Sequence, residues 1–154
     1  MKHKKLRAVL FNNRKKQLSV SYQSGKKVTV HYSQLGIDQN IEKAWVCAET
    51  KNQSIGFKLQ NGRTDYMPYD QPLALSYDPD YLLQTAVEEM IAKIKLTIEK
   101  KGISKKYLAE QLHTSDNQVQ RLLNPKILNK NLSQLYHIST LLGLNLEIHL
   151  KEAA

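Results

Sequence analysis

Cysteine is almost missing from this 154-residue chain: Cys47 stands alone. A single thiol excludes an intramolecular disulfide and a cysteine-built zinc site. Its surroundings, Ala44-Trp45-Val46-Cys47-Ala48, read as a buried strand, so the thiol is expected to be packed and inert. Long apolar runs are missing too. No stretch of about 18 apolar residues occurs, so no ordinary membrane-spanning helix is expected. The basic start, residues 1–7, is followed by an apolar stretch only at residues 8–11, too short for the core of a secretory signal. The expected location is the cytoplasm. There is no glycine-rich phosphate loop, and His3, His31, His113, His137 and His149 are scattered without metal-ligand spacing. Asp65, Asp70, Asp78 and Asp80 crowd one segment but lack the glycine and closing glutamate of a calcium loop. Neither an enzyme nor a metal or other cofactor is expected.

Acid is absent where base is densest. Residues 1–27 hold nine Lys or Arg and no Asp or Glu. The whole chain has 23 basic and 14 acidic residues, a net charge of +9. Residues 80–154 contribute only 10 − 8 = +2 of that. Such a balance favours a polyanionic partner. The N-terminal run is equally compatible with a solvated strand face and with a phosphate-contacting arm. Aromatic spacing for a base-stacking platform is not evident: Tyr66 and Tyr69 are close in sequence but read as sheet packing.

What is present divides into two halves by periodicity. Leu18, Val20 and Tyr22 alternate with Ser19 and Ser21, and Val28, Val30 and Tyr32 alternate with Thr29 and His31. A period of two predicts strands with one buried face, joined here by a turn at residues 23–26. Residues 6–11, 45–49 and 55–59 are further candidate strands. Asn61-Gly62 then predicts a hairpin with residues 63–69 returning. Residues 33–41 read as one helical turn at most. Pro68 and Pro72 break the pattern. Asp78 is placed to cap a helix with Pro79 at its first position. From there the period becomes 3.6: Leu83, Val87, Met90, Ile91, Ile94 and Ile98 share one face of a helix ended by Gly102. The expected fold is α+β, with a small antiparallel β-sheet domain over residues 1–76. A helical domain over residues 77–154 follows, closed by a C-terminal strand.

Three shorter helices follow, with Ser104, Ser115 and Asn131 as caps and Gln118 and Gln134 at capping-box spacing. The last helix is expected to bury Leu132, Leu135, Ile138 and Leu142. Between the first two, Leu108, Ala109 and Leu112 face Val119, Leu122 and Leu123. Ala109 is small at the crossing, and His113 starts a two-residue turn where a left-handed backbone is common. So short a connection predicts a sharp angle and an exposed second helix.

The segment Ile103-Ser104-Lys105-Lys106-Tyr107-Leu108-Ala109-Glu110-Gln111-Leu112-His113-Thr114-Ser115-Asp116-Asn117-Gln118-Val119-Gln120-Arg121-Leu122-Leu123 resembles the helix-turn-helix of phage-repressor-like regulators, a group that includes many antitoxins. The resemblance covers roughly residues 85–150. His113 departs from the family's usual glycine, and Leu123-Asn124-Pro125 is more like the antitoxin-type members. The β half loosely resembles a small bacterial domain of unknown function, on Val28-Thr29-Val30-His31-Tyr32-Ser33-Gln34-Leu35 and the hairpin over residues 55–68.

The resemblance implies a transcriptional regulator, autoregulating if antitoxin-like, with double-stranded DNA and a cognate toxin as partners. The start of the second helix would enter the major groove. That places Thr114, Ser115, Asn117, Gln118, Gln120 and Arg121 near bases or phosphates. Ser115 and Gln118 also have a capping role, and Asp116 suits the helix dipole while repelling phosphate. Asn117, Gln120 and Arg121 have no such structural role. Lys105 and Lys106 sit in the first turn of a helix, where the dipole disfavours cations by roughly 0.3–1 kcal/mol each; phosphate contact would account for them. Lys126 and Lys130, in the loop beyond, are candidates for the same role. Finally, Leu144, Leu146, Ile148 and Leu150 alternate strictly with polar residues. A lone terminal strand needs a partner, either a second subunit, making a homodimer, or the N-terminal sheet. The alternatives to a DNA-binding regulator are a protein-interaction module, whose β domain grips a partner, and an RNA-binding protein.

Overall fold

The computed structural model describes residues 3–153, and the chain divides between Leu82 and Leu83 into two compact units. The class is α+β: two three-stranded antiparallel sheets and five α-helices among the described residues. No helix is long and apolar enough to cross a membrane.

In the first unit, β1 (Leu6–Asn12), β2 (Gln17–Tyr22) and β3 (Lys27–His31) form one sheet in that order. Val20 pairs with Val9 on one side and Val28 on the other, and Leu18 pairs with Val30. The alternation in sequence therefore becomes one apolar face. After a one-turn 3-10 helix (Tyr32–Leu35), β4 (Ile41–Val46), β5 (Ser54–Leu59) and β6 (Thr64–Pro68) build the second sheet. Leu18, Val20, Tyr22 and Val30 from the first sheet and Ile55, Phe57, Leu59 and Met67 from the second share one core. Each such side chain contributes about 1.5–3 kcal/mol by leaving water. Asn13 ties the sheets at one end. Its Oδ1 accepts from the Tyr32 hydroxyl at 2.7 Å and the Ile41 N–H at 2.8 Å.

Two details differ from the sequence reading. The expected strand over residues 45–49 ends at Val46, with Cys47 buried and a 3-10 turn (Ala48–Thr50) beyond it. A short helix, α1 (Gln71–Leu75), occupies a segment read as broken by Pro72. Proline is harmless in a first turn, where its missing N–H has no helical acceptor, and Leu73, fully buried, anchors the turn to the sheet core.

His3, far from the acids in sequence, joins them in space. Its Nδ1 lies 2.6 Å from Ser24 Oγ and its Nε2 lies 3.0 Å from Asp80. Beside them Lys26 forms an ion pair with buried Asp78, which raises the lysine's pKa chiefly through that hydrogen bond. His3, Asp78 and Asp80 are close enough to hold a cation, and the Lys26 ammonium already supplies positive charge to Asp78. The other Asp78 oxygen accepts from the Tyr81 N–H at 3.0 Å, as expected of a helix cap.

The long helix α2 (Pro79–Lys101) begins in the first unit and continues into the second. The division thus falls within a helix rather than at residues 76–77, because Tyr81 packs against the sheet core before Val87 joins the helical one. The second unit adds α3 (Lys105–Gln111), α4 (Asp116–Leu122) and α5 (Leu132–Leu141). Val87, Ile91, Ile94, Leu108, Val119, Leu135 and Ile138 lead its core. Leu83 and Leu132, both expected inside, are 48% and 55% exposed. A helical period names a face but not how far along it neighbours reach, and these two lie at the ends of the packed stretch.

Residues 144–150 form no strand among the described residues. Leu144 and Leu146 pack partly against the helical core, whereas Ile148 is 58% and Leu150 99% exposed. The expected C-terminal strand has no sheet neighbour among the described residues, so its alternation is realised only as far as the helical core extends.

Candidate nucleic-acid interface

The α3–α4 pair is set up by local chemistry. Ser104 Oγ accepts from the Tyr107 N–H at 3.1 Å, starting α3. Leu108 and Ala109 are buried, and Leu112 closes the helix. His113 then takes φ +52°, the left-handed conformation expected of the turn. This directs the Thr114 N–H to the Ala109 carbonyl at 3.0 Å. Ser115 Oγ accepts from the Gln118 N–H at 3.2 Å and starts α4. Val119 and Leu122 face inward. Helical spacing then leaves Asp116, Asn117, Gln118, Gln120 and Arg121 outward, and all five are exposed.

Most of the residues singled out from the sequence are in reach of a ligand on this surface. Lys105, Lys106, Ser115 and Lys126 are exposed, and Thr114 is half-buried beside the turn. Lys105 and Gln120 line one small cleft of about 250 Å³, with Leu123, Asn124 and Pro125 at the end of α4. The cleft adds Lys95 from α2, which sequence reasoning missed. By helical period alone Lys95 lies off the apolar face of α2; only the packing of α2 beside α3 and α4 brings it here. Among the described residues none of Lys95, Lys105, Lys106, Arg121 and Lys126 takes part in an ion pair.

Lys130 is engaged within the chain. It was expected to reach phosphate, but its half-buried Nζ donates to the carbonyls of Arg121 at 2.9 Å, Leu122 at 2.7 Å and Asn124 at 2.7 Å. These carbonyls lie at and just beyond the end of α4, where a cation suits the helix dipole. Burial pushes the Lys130 pKa below the usual lysine value, with help from the positive charges of Arg121 and Lys95. Lys130 therefore helps to terminate α4 from a half-buried position.

The tail borders a different feature. Leu144, Leu146 and Ile148 form one wall of an apolar groove of about 720 Å³, opposite Ala86, Met90 and Ile94 on α2. Leu150 is not among the residues that line it. No family model matches the chain, and no curated protein or solved structure matches it either.

Proposed function

We propose that the protein is a sequence-specific double-stranded-DNA-binding regulator that reads its site with α4. The observation that carries this reading is the outward face of α4. It presents Asn117, Gln118, Gln120 and Arg121, all exposed and able to hydrogen-bond, at the second helix of a pair joined by a short turn with His113 in the left-handed conformation. Asn and Gln pair bidentately with adenine and Arg with guanine in the major groove. Unpaired lysines border that face: Lys105 and Lys106 at the start of α3, Lys95 across the cleft and Lys126 beyond α4. Cations so placed neutralise backbone phosphates and fix register, while the α4 amides and Arg121 read base edges.

The test is selection of bound duplexes from a random pool, followed by Arg121→Ala. The substitution is expected to weaken the selected site by about 1–3 kcal/mol and to relax preference at one base pair, with the fold intact. Failure to enrich any duplex, or unchanged affinity in the variant, would sink the assignment. A uniform loss on all sequences would make Arg121 a phosphate contact.

A further inference from the structure

The outward face of the second sheet carries an arrangement that the DNA reading does not use. Register places Trp45, Gly56 and Tyr66 in one row across β4, β5 and β6, with Lys43, Lys58 and Thr64 in the next row. Ser54 and Pro68 complete the face. It therefore holds two aromatic rings and two lysines, on the side opposite buried Ile55, Phe57 and Leu59; of the lysines, Lys58 stands 3.8 Å from the exposed Glu42 carboxylate, and Lys43 takes part in no ion pair among the described residues.

Gly56 is what lets the rings lie there. A Cβ built at this position would fall inside the Trp45 indole, so the indole leans across the central strand. Tyr66, 61% exposed, meets it edge to face, with centroids 6.1 Å apart at 87°. Lys43 Nζ stands 5.5 Å from the centre of the indole. On the other flank of Tyr66 a cleft of about 420 Å³ is lined by Gln53, Ser54 and Thr50 as well as Met67, Pro68 and Tyr69. Packing over a glycine accounts for the indole. It does not account for a tyrosine left open to water beside a largely apolar cleft and two cations.

We propose that this sheet face binds single-stranded nucleic acid, with a nucleobase stacked on Tyr66 beside the Trp45 indole and neighbouring phosphates held by Lys43 and Lys58. Exposed rings stack on any base, and flanking lysines supply the charge complement to a backbone. The Gln53 amide offers a donor and an acceptor to a base edge in the cleft. A duplex hides its base faces in the stack, so an unpaired strand is the occupant that fits. The proposal is independent of the duplex reading at α4, because it uses only residues of the first unit.

Trp45 is the sole tryptophan, so intrinsic fluorescence reports this face and not α4. The full chain is titrated at low salt with oligouridylate and oligothymidylate of about twelve nucleotides, within the site sizes typical of such surfaces. A duplex of the same length and a proline-rich peptide are run alongside. Saturable quenching by the single strands, weakening steeply with salt, is expected; the ratio of the two affinities shows whether the 2′-hydroxyl is read. Tyr66→Ala is expected to weaken binding at least about fivefold, and Tyr66→Phe to restore it. Lys43→Glu, at an exposed position, keeps the test open if Tyr66→Ala unfolds; it is expected to weaken binding and flatten the salt dependence by roughly one phosphate contact. Binding with no change in Trp45 emission, quenching equal for the duplex, quenching by the peptide alone, or insensitivity to both variants would each overturn the proposal.

Discussion

Lys130 and Lys126 are both lysines in the loop after α4, yet they do opposite things. Lys126 is exposed, with only its backbone N–H engaged, by Asn124 Oδ1 at 3.0 Å. Lys130 turns back and commits its ammonium to three carbonyls at the end of α4. Loop lysines read alike in sequence, because the carbonyls that capture one of them are presented by a finished helix several residues away. Replacing Lys130 with Met keeps much of its aliphatic stem and removes the donor. Chemical denaturation is expected to show a loss of about 1–2 kcal/mol, since hydrogen bonds to a charged group are worth somewhat more than neutral ones and this group is only half-buried. The salt dependence of duplex binding is expected to stay as it was. A reduced slope with unchanged stability would return Lys130 to the DNA surface. His113 is the contrasting case. Its left-handed backbone was legible because a two-residue connection between helices needs such a conformation somewhere, and histidine tolerates it.

Among the elements, the helices were legible from their ends. Ser104, Ser115 and Asn131 each accept from the backbone N–H three residues on, as their spacing predicts. Capping is decided within one turn, so sequence contains nearly all of it. The exposed lysines in the first turn of α3 contradict that local logic, since they oppose the helix dipole. Under the proposed function they exchange a little helix stability for phosphate contact. Lys105→Ala together with Lys106→Ala is therefore expected to lower the salt slope of duplex binding by about 2, at just under one unit per contact. Thermal stability should hold or rise slightly. A fall in melting temperature with the slope unchanged would show that the two lysines serve the fold. The short α1 was not legible at all: its reason is the burial of Leu73, a contact with strands distant in sequence.

For the molecule as a whole, the tail bears on assembly. Residues 145–150 make no backbone hydrogen bond to other described residues in helix, sheet or turn, and the exposed Ile148 and Leu150 continue the apolar side of Leu144 and Leu146. We propose that a second copy of the chain pairs with this segment, an arrangement that two-fold symmetry satisfies on both copies at once. A dimer would also set two copies of α4 against half-sites about 34 Å apart on one face of a duplex. Truncation after Leu146 leaves the packed leucines in place. It is expected to give monomers by light scattering and at least about tenfold weaker binding to a palindromic site, because the two half-sites would no longer be engaged together. A monomeric full-length chain at tens of micromolar that still grips a palindrome tightly would refute the dimer.

The sequence by itself determined the α+β class, the period-two and period-3.6 halves, the helix caps, the left-handed turn at His113 and the exposed face of α4. Each rests on interactions between residues within a turn or along one strand, which a linear pattern carries. Tertiary structure alone decided which distant residues meet. It brought His3 to Asp80 across 77 positions, Lys95 to the cleft beside Lys105 and Gln120, and Trp45 to Tyr66 over Gly56. The last of these sets the aromatic pairing on the second sheet. In sequence the near neighbour of Tyr66 is Tyr69, whereas its ring partner stands two strands away, fixed by register and by the space that one glycine leaves open.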